Sequence, residues 1–150
     1  GVLIVDGVNG NNWDAGAGLA YGTFENFELK VKMKVENAYG FGAIEFNKSS
    51  PSVNHQQSAI TLLVTNSSAS LYLGNDVYQP GSDVGVALDE NGYISVTLRV
   101  KDGVITYDLG SGSATFAISE LKRNNLTSGF ISFNAGSNRI YFDDLKITLL

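Results

Sequence analysis

The chain has 150 residues, of which 17 are glycine, 2 proline and none cysteine, and its formal net charge is −5. This length predicts one domain over residues 1–150 with room for a core, and the lack of cysteine excludes disulfides, thiolate metal sites and a cysteine nucleophile. The negative charge argues against nucleic acid as a partner, and no segment is long and apolar enough to cross a membrane as a helix.

Residues 1–5, Gly-Val-Leu-Ile-Val, read as the first strand of a module of a larger protein, because they lack the basic flank and long apolar run of a signal peptide. Asp6-Gly7-Val8-Asn9-Gly10-Asn11 places hard oxygen ligands on a tight turn, and Trp13 follows in a polar setting. The glycines of residues 16–22 lack dinucleotide-binding spacing and read as a turn. Residues 24–35 are the clearest element: Phe27, Leu29, Val31, Met33 and Val35 alternate with Glu28, Lys30, Lys32 and Lys34, which predicts one buried and one wet face. Residues 40–47 repeat the pattern, with Ile44 and Phe46 inward and Phe41 and Glu45 outward, Glu45 as a solvated strand residue. A polar loop holding Asn54 and His55 leads to a strand over 58–65 and, after a turn, a return over 71–74 in which Tyr72 faces away from Leu71 and Leu73. Residues 76–83, with Tyr78, read as a loop. Asp89-Glu90-Asn91-Gly92 is a turn, and the alternation of residues 94–101 meets residues 104–109 through an Asp102-Gly103 corner, a hairpin signature. A short strand over 115–118, one helical turn over 119–124 and strands over 129–134 and 139–149 complete the chain. About ten short strands with no amphipathic helix predict an all-β, two-sheet antiparallel jelly-roll sandwich.

Catalytic signatures are missing. There is one histidine, His55, without a nucleophile elbow, and no strand carries the paired carboxylates of glycoside hydrolysis. Three Asn-x-Ser/Thr patterns, at Asn47, Asn66 and Asn125, predict exposed loops. Asp143 and Asp144 are adjacent in the last strand, so one of them points inward unless a bulge leaves both wet; the alternative is a metal.

Residues 26–35 with 40–46, residues 93–107, and residues 128–133 with 140–147 together resemble the concanavalin-A-like lectin/glucanase superfamily. The similarity is greatest to the laminin-G-like and carbohydrate-binding modules of bacterial polysaccharide-degrading enzymes. The superfamily's glucanase Glu-x-Asp-x-x-Glu strand is missing here, so the resemblance implies a non-catalytic module that attaches a parent enzyme or surface protein to a polysaccharide or oligosaccharide. Such a module is extracellular or at the cell surface and linked in cis to other domains. It further implies a structural Ca²⁺ held by Asp6 with Asp143 or Asp144. A neutral glycan site is predicted from Trp13, Tyr39, Phe41, Tyr72 and Tyr78, with polar help from Glu45, Asn54 or His55, because these aromatics lie off the buried parity or in polar loops. A structural or adhesive spacer without a sugar site, and an enzyme using Glu45 with a loop aspartate, stand as the competing readings.

Overall fold

A computed structural model describes residues 1–7, 15–19, 22–52, 59–74, 77–121 and 127–150. Trp13, Asn54 and His55 lie outside the described residues. Among those described there are thirteen strands: β1 (Leu3–Asp6), β2 (Ala15–Gly18), β3 (Phe27–Val35), β4 (Phe41–Lys48), β5 (Ile60–Val64), β6 (Ser68–Leu73), β7 (Val77–Tyr78), β8 (Val84–Gly85), β9 (Ile94–Lys101), β10 (Val104–Asp108), β11 (Ser113–Ala117), β12 (Phe130–Gly136) and β13 (Arg139–Leu149). One 3₁₀ turn, Ile118–Glu120, follows β11. The first sheet runs β1-β13-β3-β9-β10-β11; the second runs β2-β12-β4-β5-β6-β7, with β8 also pairing β6. All pairings are antiparallel, and the two sheets pack as a jelly-roll sandwich, as the strand pattern predicts.

Period-two alternation decides which face is buried. Phe27, Leu29, Val31 and Met33 of β3, Ile44 and Phe46 of β4, Leu62, Val96, Leu98 and Phe133 are all buried. Aromatic pairs bridge the sheets. The ring centroids of Phe27 and Phe46 are 6.2 Å apart and those of Phe133 and Phe142 5.1 Å, and such a pair adds about 0.5–1.5 kcal/mol beyond the burial of its area. The Asp102-Gly103 corner has positive φ at both residues, 49° and 75°, and joins Lys101 directly to Val104 in register. That is a type I′ hairpin turn, whose twist matches the strands it connects.

Three local expectations are corrected. Residues 16–22 do not form a turn only: Ala15–Gly18 pairs with β12 as an edge strand, because its small residues tolerate the extended backbone without demanding a buried face. Residues 77–78 are a short strand on the edge of β6 rather than loop, and residues 84–85 also pair with β6. Asn47 is fully buried within β4 instead of exposed. It adopts φ of 53°, a left-handed conformation that asparagine tolerates better than most residues, and it marks a bulge where the β4–β12 register shifts between Phe130 and Ser132.

Tyr107 of β10 ties the core to the second sheet. Its buried ring stacks on Phe116, and its hydroxyl donates to the Ser82 carbonyl. Burial pushes its pKa up to about 12, above the ordinary value near 10. The stabilisation this represents is complete below pH about 10 and is lost as pH rises through about 12, because the unfolded chain releases the proton first. Tyr107→Phe is expected to cost about 1–3 kcal/mol by stranding the Ser82 carbonyl. The difference in unfolding free energy between wild type and variant should shrink above pH about 10; urea titrations across that range check it, and a pH-independent difference overturns the assignment.

Candidate glycan-binding face

The outer face of the second sheet carries a polar row set by strand register. Gly18 of β2 lies opposite Ser132 of β12, Ser132 opposite Glu45 of β4, Glu45 opposite Thr61 of β5, Thr61 opposite Tyr72 of β6, and Tyr72 opposite Tyr78 of β7. Paired residues in an antiparallel sheet point to the same side, so these six share one face across six strands.

The centre of the row is buried and charged. Glu45, Lys48, Ser132, Asn134 and Thr61 are all buried. Glu45 is thus not the solvated residue that alternation predicts. The Lys48 ammonium lies 3.3 Å from Glu45 Oε2 and donates to Ser132 Oγ at 2.8 Å and to the Ser52 carbonyl at 2.6 Å. Ser132 Oγ in turn donates to Asn134 Oδ1 at 2.9 Å. Burial pushes the Lys48 pKa below the ordinary lysine value, and the Glu45 carboxylate partly offsets that shift. Thr61 Oγ1 is buried and has no hydrogen-bond partner among the described residues. Strict alternation puts Lys48 inward with Ile44 and Phe46. The extra residue at the Asn47 bulge carries β4 on to Lys48 and turns it outward, three positions from Glu45; the sequence reads Lys48 as the start of the polar loop after residues 40–47, which hides the network it organises.

The far end of the row is aromatic and accessible. Tyr78 is 39 % exposed and Tyr72 half-buried; their ring centroids are 5.8 Å apart with planes at 60°. Asp83 holds this end in place: its carboxylate accepts from Ser70 Oγ at 2.6 Å and from the Tyr78 hydroxyl. Hydrogen bonds from Ser70 and Tyr78 keep the Asp83 carboxyl below its ordinary pKa. Next to it, buried Ser82 accepts the Leu71 N–H on its hydroxyl and the Tyr107 hydroxyl on its carbonyl. The tyrosine pair is therefore braced from the core through residues 82 and 83.

The remaining predicted site residues fall elsewhere. Phe41 is half-buried on the same outer face, directly opposite Gly136. A Cβ at Gly136 would lie only 1.9 Å from the Phe41 ring, so glycine is what lets the ring lie flat on β12. Tyr39 is 95 % exposed at the tip of the β3–β4 turn, outside the row. Asp6 pairs with Arg139 at 2.8 Å and lies opposite it in the β1–β13 register, four residues from Asp143 along β13. At about 3.3 Å per residue that is about 13 Å, too far for Asp6 and Asp143 to bind one Ca²⁺. Asp144 instead reaches Lys32 at 3.3 Å. Asp6 is therefore not brought together with Asp143 in the described residues. The Asp143-Asp144 doublet takes the alternative resolution, a bulge with Asp144 at φ 52° and neither side chain buried.

No protein-family model matches the sequence, and no curated protein matches it significantly. Solved structures do match in fold. A "putative glycosyl hydrolase" from Parabacteroides distasonis superposes with a TM-score of 0.70 at 15% identity, covering 99% of this chain and 80% of the other. The carbohydrate-binding module CBM66 from Bacillus subtilis gives 0.62 at 12% identity, covering 98% and 94%. The alginate lyase A1-II' gives 0.63 at 9% identity, covering 99% and 79%. The chain thus shares the two-sheet jelly-roll fold of these structures, a fold that hosts both binding modules and enzymes.

Proposed function

We propose that the domain is a non-catalytic carbohydrate-binding module that takes a neutral glycan on the outer face of its second sheet. The observation that carries this reading is the Tyr72–Tyr78 pair, accessible, braced by Asp83 and placed at the open end of a row of polar side chains. An aromatic ring against the C–H face of a sugar supplies the desolvation gain, since sugar hydroxyls largely exchange hydrogen bonds with water for hydrogen bonds with protein. Asp83 and Ser70 stand beside the rings to meet those hydroxyls, and the Asp83 charge disfavours an acidic sugar there. A binding role is also favoured over acid–base catalysis by the state of the carboxylates: Glu45 is buried against Lys48, and Asp83 is engaged by two donors. Linked in cis to other domains, the module would attach an extracellular or surface protein to a polysaccharide. The fold resemblance to a carbohydrate-binding module supports this without identifying the glycan.

Tyr78→Ala is expected to weaken neutral-glycan binding about tenfold, the effect of losing a central aromatic contact. Unfolding free energy should fall by no more than about 1.5 kcal/mol, since the variant loses an exposed ring contact with Tyr72 and a hydrogen bond to Asp83 but no core packing. Affinity electrophoresis against a panel of neutral polysaccharides, with parallel urea denaturation, tests both. Wild-type protein that binds nothing in the panel favours a spacer role instead, and Tyr78→Ala protein that binds normally moves the glycan site away from the Tyr72–Tyr78 pair.

A further inference from the structure

The outer face of the first sheet concentrates positive charge in an acidic protein. Of the ten Lys and Arg residues in the chain, seven (Lys30, Lys32, Lys34, Arg99, Lys101, Lys146 and Arg139, the last paired with Asp6) point outward from β3, β9 and β13. Lysines on an edge strand discourage strand addition, but Lys30, Lys32 and Lys34 sit on β3, an interior strand with β13 on one side and β9 on the other, so that role does not account for them. They form a ladder at alternate residues, spaced by about 6.6 Å.

The ladder borders a groove. The β13 bulge shifts register between Asp143, opposite Lys32, and Lys146, opposite Lys30, inserting one extra residue. Beside it is a shallow depression of about 210 Å³ lined by Lys30, Lys32, Ser95, Thr97 and Asp144. Four carboxylates moderate the charge: Glu28, Asp144, Asp143 opposite Lys32, and Asp89, which feels the charges of Lys32 and Lys34. Glu28 lies 3.0 Å from Lys30 and 3.5 Å from Arg99, and Asp144 lies 3.3 Å from Lys32. Lys34 stands 5.7 Å over the Tyr93 ring. Counting Lys30, Lys32, Lys34, Arg99 and Lys146 against Glu28, Asp89, Asp143 and Asp144 leaves the patch at 5 − 4 = +1, while the whole chain is −5.

We propose that this groove is an anion subsite for an acidic polysaccharide. Lys30 and Lys32, with the Ser95 and Thr97 hydroxyls, receive a uronate carboxylate or a sulfate ester, and Lys34 and Lys146 flank the next charged groups along the chain. An acidic glycan fits better than nucleic acid. Duplex DNA presents one charge per about 1.7 Å and calls for a dense, uncompensated basic field, whereas here carboxylates stand beside Lys30 and Lys32. A sparsely charged, hydroxyl-rich polymer matches half-exposed lysines interleaved with Ser and Thr. This subsite lies on the opposite sheet from the neutral-glycan face and does not depend on it, so one domain has two glycan surfaces of different charge preference.

Affinity electrophoresis of the whole domain in gels containing polygalacturonate, dextran sulfate or a neutral glucan tests the proposal, with Lys30→Gln/Lys32→Gln and Tyr78→Ala as variants. Wild type should be retarded by at least one acidic polymer at low salt and released as salt is raised, since exposed charges are screened. Retardation by polygalacturonate identifies carboxylate as the group bound, and by dextran sulfate alone the sulfate ester. The double glutamine variant should bind the acidic polymer about fivefold more weakly, while Tyr78→Ala leaves that binding unchanged. The proposal is overturned by no retardation in either acidic gel, by unaltered binding of the double variant, or by equally strong retardation in a gel containing DNA.

Discussion

Lys48→Met is expected to destabilise the domain by about 3–5 kcal/mol, the cost of breaking a buried ion pair by removing one partner. The variant keeps most of the side-chain volume but takes the cation from Glu45, which is buried 3.3 Å away, and the donor from Ser132 Oγ and the Ser52 carbonyl. A pair replaced as a unit behaves differently: well-packed neutral substitutes for both partners are often tolerated. Glu45→Gln/Lys48→Met should therefore be more stable than Lys48→Met alone, and the coupling between the two sites should be at least about 1 kcal/mol, within the range for residues in one network. Urea unfolding of wild type, both single variants and the double variant closes the cycle. Strict additivity overturns the claim that this pair organises the centre of the second sheet's outer face.

The next largest effect is expected at a glycine. Gly129→Ala should cost about 3 kcal/mol, the upper end for overpacking. A Cβ built there lies 2.4 Å from the Asn47 carbonyl carbon, 2.5 Å from its Cα and 2.5 Å from the Lys48 nitrogen. These are backbone atoms, unlike the Met33 side chain that a Cβ at Gly42 would meet first, so no rotamer change relieves the clash. The bulge that turns Lys48 outward must give way, so the two predictions are coupled. Gly129→Ala should lose stability and also weaken neutral-glycan binding about as much as a direct site change, because the network behind the row shifts with Asn47. Melting and affinity electrophoresis of the same sample distinguish this from simple overpacking, which would lower stability and leave binding intact.

How much of this was legible beforehand divides along one physical line. Alternation in residues 27–35 and 94–101, the Asp102-Gly103 corner and the outward direction of Tyr72 depend on local chemistry: side-chain parity is set by the two-residue strand repeat, and turn type by which residues accept positive φ. The sequence by itself therefore determined the all-β class, the inner-face residues and the placing of Tyr72 away from the core. What depends on counting residues across a strand pair was decided only in three dimensions. One extra residue at Asn47 turned Lys48 outward and put it beside Glu45. One extra residue after Asp143 kept both last-strand aspartates out of the interior, and the β1–β13 register set Asp6 against Arg139 instead of Asp143. Asp83, eleven positions from Tyr72 and thirteen from Ser70 along the chain, became the brace of the tyrosine pair because β7 and β8 both fold onto the β6 edge. A bulge follows from how two strands must pair to close a sandwich, and a single strand's residues do not record its partner's register.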